Sequence, residues 1–457
     1  MVLATLTPPL IREGRGVPAI SQLSDGGAAA WLAVAAALLI SVGTASTDPT
    51  PSTILALLAL VVSATAALGF GTSVLGRLRE RSVVTILTVG VVLEIMIGIL
   101  APAVLDVRFM VLFAAAGAIA LYALHASGLR QRLALVAVVA LHFGLMIWMF
   151  AAVPVVGQDM PLVHEEASAA LLRGVNPYSI TFENIYGYGT PFYPIELQDG
   201  DRLLFGFPYP PLSLLMSLPG FILAGDYRVA ALAAISIAAL LIGHMRTGPL
   251  AVGAALLLLL SPLTARVLHN GWTEPFVVVW LAVTVYLAVR RLATTAVALG
   301  LLIATKQYMP LLLPIAMGLL SDVRSRIGTG RMLTLTIGVA VATAVPFVVW
   351  GPADLVLSTV VTQLLQPFRE DGATVPALLA RLGLWVPPVW LGLAVAGAIF
   401  VVVMRKAART PTGFALASAV VLMGLFLFTR NAFMNYYFAV MVALLCGVAA
   451  SEAADGA

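Results

Sequence analysis

Residues 133–179 read LALVAVVALHFGLMIWMFAAVPVVGQDMPLVHEEASAALLRGVNPYS. Up to Val153 this is an apolar run long enough to cross a bilayer core, which takes about 20 residues of helix. Then Asp159, His164, Glu165 and Glu166 arrive in quick succession. Such a burst of charge at the end of a span is either a solvated loop or a working site. In MPLVHEEASAALLR, Val163, Ala167, Ala170 and Leu171 recur at helical spacing, which predicts an amphipathic helix lying in the membrane interface up to about Arg173. Asp159, two residues ahead of Pro161, stands where an N-cap belongs. Asn176-Pro177-Tyr178 closes the helix, because a residue before proline is biased to extended geometry.

The rest of the chain has the same character. Of its 457 residues 61% are hydrophobic and only 10% charged, with a mean hydropathy of +1.04. Soluble domains are nearer one-quarter charged, so the composition is that of a polytopic membrane protein. The long apolar runs lack the alternation of barrel strands, which leaves an all-α bundle. The net charge of +4 comes from arginines near span ends and gives no reason to expect nucleic acid. Cys446 is the single cysteine, so no internal disulfide can form. MVLATLTPPLIREGRG is too polar and proline-rich for the start of a cleaved signal peptide, and the first span is expected to be retained.

Apolar runs at 28–47, 53–75, 83–105, 109–127 and 133–153 are separated by links that alternate in charge. Arg77, Arg79 and Arg81 mark one side, as do Arg130 and Arg132. By the positive-inside rule the N-terminus is cytoplasmic and 154–208 lies outside. Later anchors are Arg290-Arg291, then Arg324, Arg326 and Arg331, then Arg405, Lys406 and Arg409. The stretch PYPPLSLLMSLPGFIL (209–224), broken by Pro219-Gly220, suits a re-entrant or interfacial half-helix better than a full span. The expected total is roughly 13 or 14 spans of about 20 residues each. The organisation expected is a cytoplasmic tail (1–27), N-terminal spans (28–132), a core (133–350) including the outer loop 154–208, a second outer loop (351–387), and C-terminal spans with a tail (388–457).

Seven acids crowd the first outer loop: Asp159, Glu165, Glu166, Glu183, Glu196, Asp199 and Asp201. Chemistry is therefore expected on the extracytoplasmic face. Asp159 reads as a helix cap or as a partly desolvated general base. Lys306, one of two lysines, sits between two apolar runs too short to span with it included. An ionisable group at that depth is a functional candidate by default, or a lysine snorkelling to the interface. Arg266, His269 and Asn270 stand at one span end, and Arg430, Asn431, Asn435, Tyr436 and Tyr437 at another. Cations near an apolar groove suit a lipid phosphate. Asp199-Gly200-Asp201 reads as a turn, with an Asp-x-Asp metal site as the other reading. Glu94 is a buried acid with no partner visible in the sequence. No zinc-ligand spacing, Walker loop or nucleophile elbow is present.

In the order Asp159, the Ala-rich helix ending Gly174-Val175-Asn176-Pro177-Tyr178, then Tyr209-Pro210-Pro211-Leu212, then ALGLLIATKQYMPLLLP, the chain resembles the GT-C superfamily of membrane glycosyltransferases. Within it the likeness is to glycosyltransferase family 87 and its polyprenol-phosphate-mannose-dependent relatives, across roughly residues 133–330. The resemblance implies a GT-C-like fold and transfer of mannose or arabinofuranose from a polyprenyl-phosphate donor to a lipid or glycan acceptor, with inversion and without an obligatory metal or cofactor. Asp159 would then deprotonate the acceptor. Lys306, with Arg266, His269 or Arg430, would hold the departing phosphate, and His164, Glu165, Tyr178, Tyr209, Gln307 and Tyr308 would line the acceptor or sugar site. The chain departs from the family at Gly271-Trp272-Thr273-Glu274 and in the four spans that precede the core. The other expectations to weigh are a secondary transporter or lipid flippase, and a lipid-linked glycan polymerase or ligase.

Overall fold

The computed structural model describes residues 21–45, 48–68, 80–100 and 106–451. Most of the expected cytoplasmic tail and the anchors Arg77 and Arg79 lie outside them. The N-terminal helices are α1 (Ser21–Ala45), α2 (Pro49–Leu68), α3 (Glu80–Leu100), α4 (Val107–His125) and α5 (Gly128–Ala152), followed by α6 (Met160–Leu172). Next come α7 (Pro211–Ala224), α8 (Arg228–Gly243), α9 (Pro249–Leu260), α10 (Pro262–His269), α11 (Glu274–Val289), α12 (Thr295–Ile303) and α13 (Leu312–Leu319). The remainder comprises α14 (Ser321–Ile327), α15 (Thr329–Trp350), α16 (Pro352–Val356), α17 (Thr362–Leu365), α18 (Val375–Arg381), α19 (Val389–Lys406), α20 (Pro411–Phe428) and α21 (Met434–Ala450).

Helix α9 is apolar on every side, and each residue from Leu250 to Leu260 is buried, as a helix without a polar face must be. It packs on α3, α8 and α21, while α1 closes on α2 and α21. Helices α15 and α19 are also largely apolar but turn Val341, Val345, Val349, Leu393 and Val401 outward. An apolar belt of that kind faces lipid, where it costs nothing in hydration.

Six described helices, α2, α4, α5, α15, α19 and α20, are long and apolar enough to cross a membrane. Two bent pairs, α7–α8 at 113° and α9–α10 at 49°, raise the number to eight. The chain is an all-α, multi-pass membrane protein. Against the roughly 13 or 14 spans expected, several of the remaining expected runs are apolar helical stretches of 10–17 residues among the described residues. Helix α10 ends at His269 and α11 begins at Glu274, and α12 ends at Ile303 before the 3₁₀ turn Met309–Leu311. The half-helix expected at 209–224 is α7, which carries Pro219 internally and ends at Gly225 in the left-handed region. Gly220 lets it close on α8, since a Cβ there would press on the backbone of Asp226 and Ala230.

The segment between α5 and α7 is a small satellite with its own core, including Val163, Tyr178, Phe182, Tyr193, Phe205 and Phe207. Three two-residue strands, β1 (Phe182–Glu183), β2 (Gln198–Asp199) and β3 (Arg202–Leu203), pair antiparallel in the order β1-β3-β2. Leu203 stands opposite both Phe182 and Gln198. Asp199-Gly200-Asp201 makes the connection between β2 and β3, with Gly200 at a positive φ of 54°, so the turn reading describes its geometry.

Candidate functional site

Asp159 occupies the position before α6, but its side chain caps nothing in that helix. Its Oδ2 instead accepts a hydrogen bond from the phenol of Tyr193. Gln198 delivers that phenol: its amide donates to the carbonyls of Tyr193 at 2.9 Å and Thr190 at 3.1 Å, while its oxygen accepts from Gly189. Burial pushes the Asp159 carboxyl above the usual carboxylate range, and the Tyr193 hydrogen bond and the positive field of Arg369 pull it partly back. Arg369 reaches this place from the loop that follows α17. Its guanidinium lies 4.1 Å over the Phe192 ring and 4.7 Å over Phe433, and its Nε donates to Asp371 at 2.7 Å.

A cavity of about 620 Å³ is lined by Gln158, the residue before Asp159, while Asp159 itself is not part of its wall. Its apolar walls include Ile97 of α3, Phe109 and Phe113 of α4, Met146 of α5, and Leu259 and Leu260 of α9. Its polar lining is Gln158, Ser261, Arg266, His269, Asn270, Trp272 and Asp371. The indole of Trp272 donates to Gln158 at 3.1 Å, which ties the α10–α11 junction to the residue adjoining Asp159. Gly271 adopts φ +67° there, and its carbonyl accepts from the buried phenol of Tyr227. Nδ1 of His269 is buried and has no hydrogen-bond partner among the described residues.

Lys306 lies in the unwound stretch between α12 and the 3₁₀ turn Met309–Leu311, 2% exposed. Its ammonium pairs with Glu274, the first residue of α11. Asn435 donates to the same carboxylate at 3.0 Å. The rings of Tyr209, Tyr308 and Tyr436 stand 5.2, 5.7 and 5.2 Å from the ammonium. Such a charge is neutralised by the carboxylate and stabilised by aromatic faces. The cluster adjoins the cavity through α21: Met434 meets Arg266 at 3.3 Å, and its neighbour Asn435 meets Glu274.

The other candidates are dispersed. His164 is fully buried, stacked on Tyr227 at 4.4 Å, and neither ring nitrogen has a partner among the described residues. Burial, then the Lys306 charge, lowers its pKa to about 3, which keeps it neutral. Glu165 is exposed, its carboxyl raised by burial and by Asp226 and lowered by Arg228. Tyr178 is a core residue whose phenol donates to the Tyr209 carbonyl at 2.9 Å. The Gln307 amide holds the carbonyls of Pro208 and Thr359, at 2.6 and 3.3 Å. Arg430 is exposed and borders a separate hollow of about 320 Å³ with Phe368 and Val386. The structure thus brings Arg266 and His269 together at one cavity, groups Lys306 with Tyr209 and Tyr308, and leaves Arg430 apart from both.

Three participants carried no assignment from sequence. Tyr193 and Arg369 reach Asp159 from distant loops, and no spacing marks them. Glu274 had a signal, an acid at the head of an apolar run, but nothing in the linear order pairs it with Lys306. Comparison with protein-family models, curated proteins and solved structures found no match.

Proposed function

We propose that the protein is a membrane glycosyltransferase of the GT-C type that moves a sugar from a polyprenyl-phosphate donor to a hydroxyl acceptor on the extracytoplasmic face. The observation that carries this reading is Asp159: a carboxylate made more basic by burial, steadied by the Tyr193 phenol, and next in the chain to Gln158, which lines a largely apolar cavity that also holds Arg266. A general base of that kind removes a proton from a hydroxyl held within hydrogen-bond reach. The acceptor oxygen bonds to the anomeric carbon as its proton passes to Asp159. The bond from that carbon to the phosphate oxygen breaks, and the lipid monophosphate leaves with the electron pair. Arg266 stabilises that leaving group by charge, and His269, which burial and Arg228 hold toward its neutral form, by hydrogen bonding. Lys306, already paired with Glu274, supports the site and the phenol-rich wall around it.

The test is transfer of labelled sugar from a polyprenyl-phosphate sugar in proteoliposomes. Asp159→Asn should lower transfer by about 10²-fold or more while the protein remains monodisperse; turnover near the wild-type rate in that variant overturns the mechanism.

A secondary transporter or lipid flippase is the second reading, favoured by one specific arrangement. Two bent helix pairs and a buried Glu274–Lys306 ion pair are the parts from which transporters build sites at broken helices. Flux of labelled sugar lipid across sealed vesicles with no covalent product would select it.

A further inference from the structure

One segment between β1 and β2, NIYGYGTPFY at 184–193, makes three separate contacts around Asp159. The Tyr193 phenol donates to the carboxylate. The Tyr186 phenol donates at 3.1 Å to the carbonyl of Gly157, two residues before Asp159. The Phe192 ring lies 4.1 Å from the Arg369 guanidinium, whose positive field also reaches Asp159. Gly187 and Gly189, at φ +81° and +78°, turn the segment back between the two tyrosines, a backbone geometry open to glycine.

The residue that fixes this shape is Gln198. It is the first residue of β2 and 6% exposed, while Asp199 beside it faces solvent, because neighbouring strand residues point to opposite sides. A glutamine amide offers two N–H donors and two acceptor lone pairs, and all of them are engaged. Its nitrogen donates to the carbonyls of Thr190 at 3.1 Å and Tyr193 at 2.9 Å. Its oxygen accepts from the Gly189 amide at 2.9 Å and the Asn184 side chain at 3.4 Å. Asn184, also buried, closes the other end by donating to the Gly187 carbonyl at 2.8 Å and accepting from the Tyr186 amide at 3.3 Å.

We propose that Gln198 is a positioning residue for the chemistry at Asp159: with Asn184 it holds segment 184–193 in the shape that brings Tyr193 to the carboxylate, Tyr186 to the Gly157 carbonyl and Phe192 against Arg369. The groups that act electrostatically on Asp159 are the phenols of Tyr186 and Tyr193, those of Tyr209 ahead of α7 and Tyr227 ahead of α8, and the Arg369 guanidinium. Only Tyr186, Tyr193 and Arg369 are reached through the segment that Gln198 holds. The proposal rests on the glycosyltransferase reading for the task of Asp159, but its first measurement needs no turnover.

The full-length protein in detergent is titrated with acid while infrared difference spectroscopy follows the carbonyl stretch of the protonated Asp159 carboxyl, a band assigned by its loss in Asp159→Asn. Gln198→Met keeps the bulk of the side chain and removes its hydrogen bonds. It should move the midpoint to higher pH by at least as much as Tyr193→Phe, because the bond that favours the ionised carboxylate is lost with the shape of the segment. Adding Tyr193→Phe to Gln198→Met should move it no further. In proteoliposomes the acid limb of the pH–rate profile should follow the same order with the plateau kept, a pattern that a general loosening of the fold would not give. An unmoved midpoint in folded Gln198→Met overturns the proposal, as does a double variant whose shift is the sum of the two. Where Gln198→Met fails to fold, Asn184→Ala, which frees the opposite end of the segment, decides by the same outcomes. A midpoint that moves in a protein that transfers no sugar leaves the positioning role standing and sinks the glycosyltransferase reading; transfer by a protein whose midpoint stays fixed does the reverse.

Discussion

The Tyr193 phenol donates to the Asp159 carboxylate, so a residue placed to cap α6 is engaged instead by the loop that folds back over it. That relationship moderates the basicity that burial gives the group proposed to do the chemistry. Because the hydrogen bond stabilises the ionised carboxylate, Tyr193→Phe should raise the Asp159 pKa further. The acid limb of the pH–rate profile for transfer should move to higher pH, with little change on the plateau. An unmoved limb in a folded variant would separate Tyr193 from the reaction.

Asp159 also exacts a stability cost. Its proton is held more tightly in the folded chain than in the unfolded one, which favours the fold below the ordinary carboxylate range. That contribution is lost as pH rises through the folded value, so at neutral pH the ionised group is a liability. Asp159→Asn should therefore lower transfer by about 10²–10⁴-fold while melting no earlier than wild type at neutral pH. The difference in melting should narrow as pH falls toward the ordinary carboxylate range. A variant that loses activity by unfolding would fail this comparison of thermal melts.

The Lys306–Glu274 pair should behave as a buried ion pair. Lys306→Met or Glu274→Leu alone strands an opposite charge and should cost about 3–5 kcal/mol. The double variant should be more stable than either single one, as a double-mutant cycle on thermal or denaturant unfolding would show. Additive losses would mean that the two side chains do not depend on one another.

At Gly271 the backbone is left-handed, and a Cβ would also collide with the Tyr227 phenol. Gly271→Ala should destabilise by more than about 1 kcal/mol and loosen the Trp272–Gln158 contact beside Asp159. Thermal unfolding gives the first effect and the KM for donor the second.

Glu94 needs an acceptor at its position more than a charge. Glu94→Gln keeps a carbonyl for Ser41, whereas Glu94→Leu leaves the Ser41–Ser261 pair without its terminal acceptor and should cost about 1–3 kcal/mol. Equal melting temperatures for the two variants would remove this role.

The linear order showed the satellite helix close to its observed limits, because Val163, Ala167 and Ala170 repeat at helical spacing and Pro177 ends the pattern. It showed a short helix at 209–224, although that helix runs on through Pro219-Gly220 and ends at Gly225, and it showed the unwinding at Lys306, since a charge in an apolar run is a local fact. It left the number of full spans open, because a hydrophobic run records only that a segment avoids water. Whether the run crosses a membrane or packs as a short helix inside a bundle is settled by its neighbours.

What the sequence by itself determined is the class of the molecule, an all-α bundle for lipid, and it marked Asp159 and Lys306 as candidates, because desolvating a charge is costly wherever it sits. Only the tertiary structure decided their partners. Tyr193 and Arg369 converge on Asp159, Glu274 neutralises Lys306, and α3 and α4 wall a cavity beside Arg266. These pairings join residues far apart in the chain, and hydrogen bonds and ion pairs act over a few ångströms of space whatever the separation in sequence.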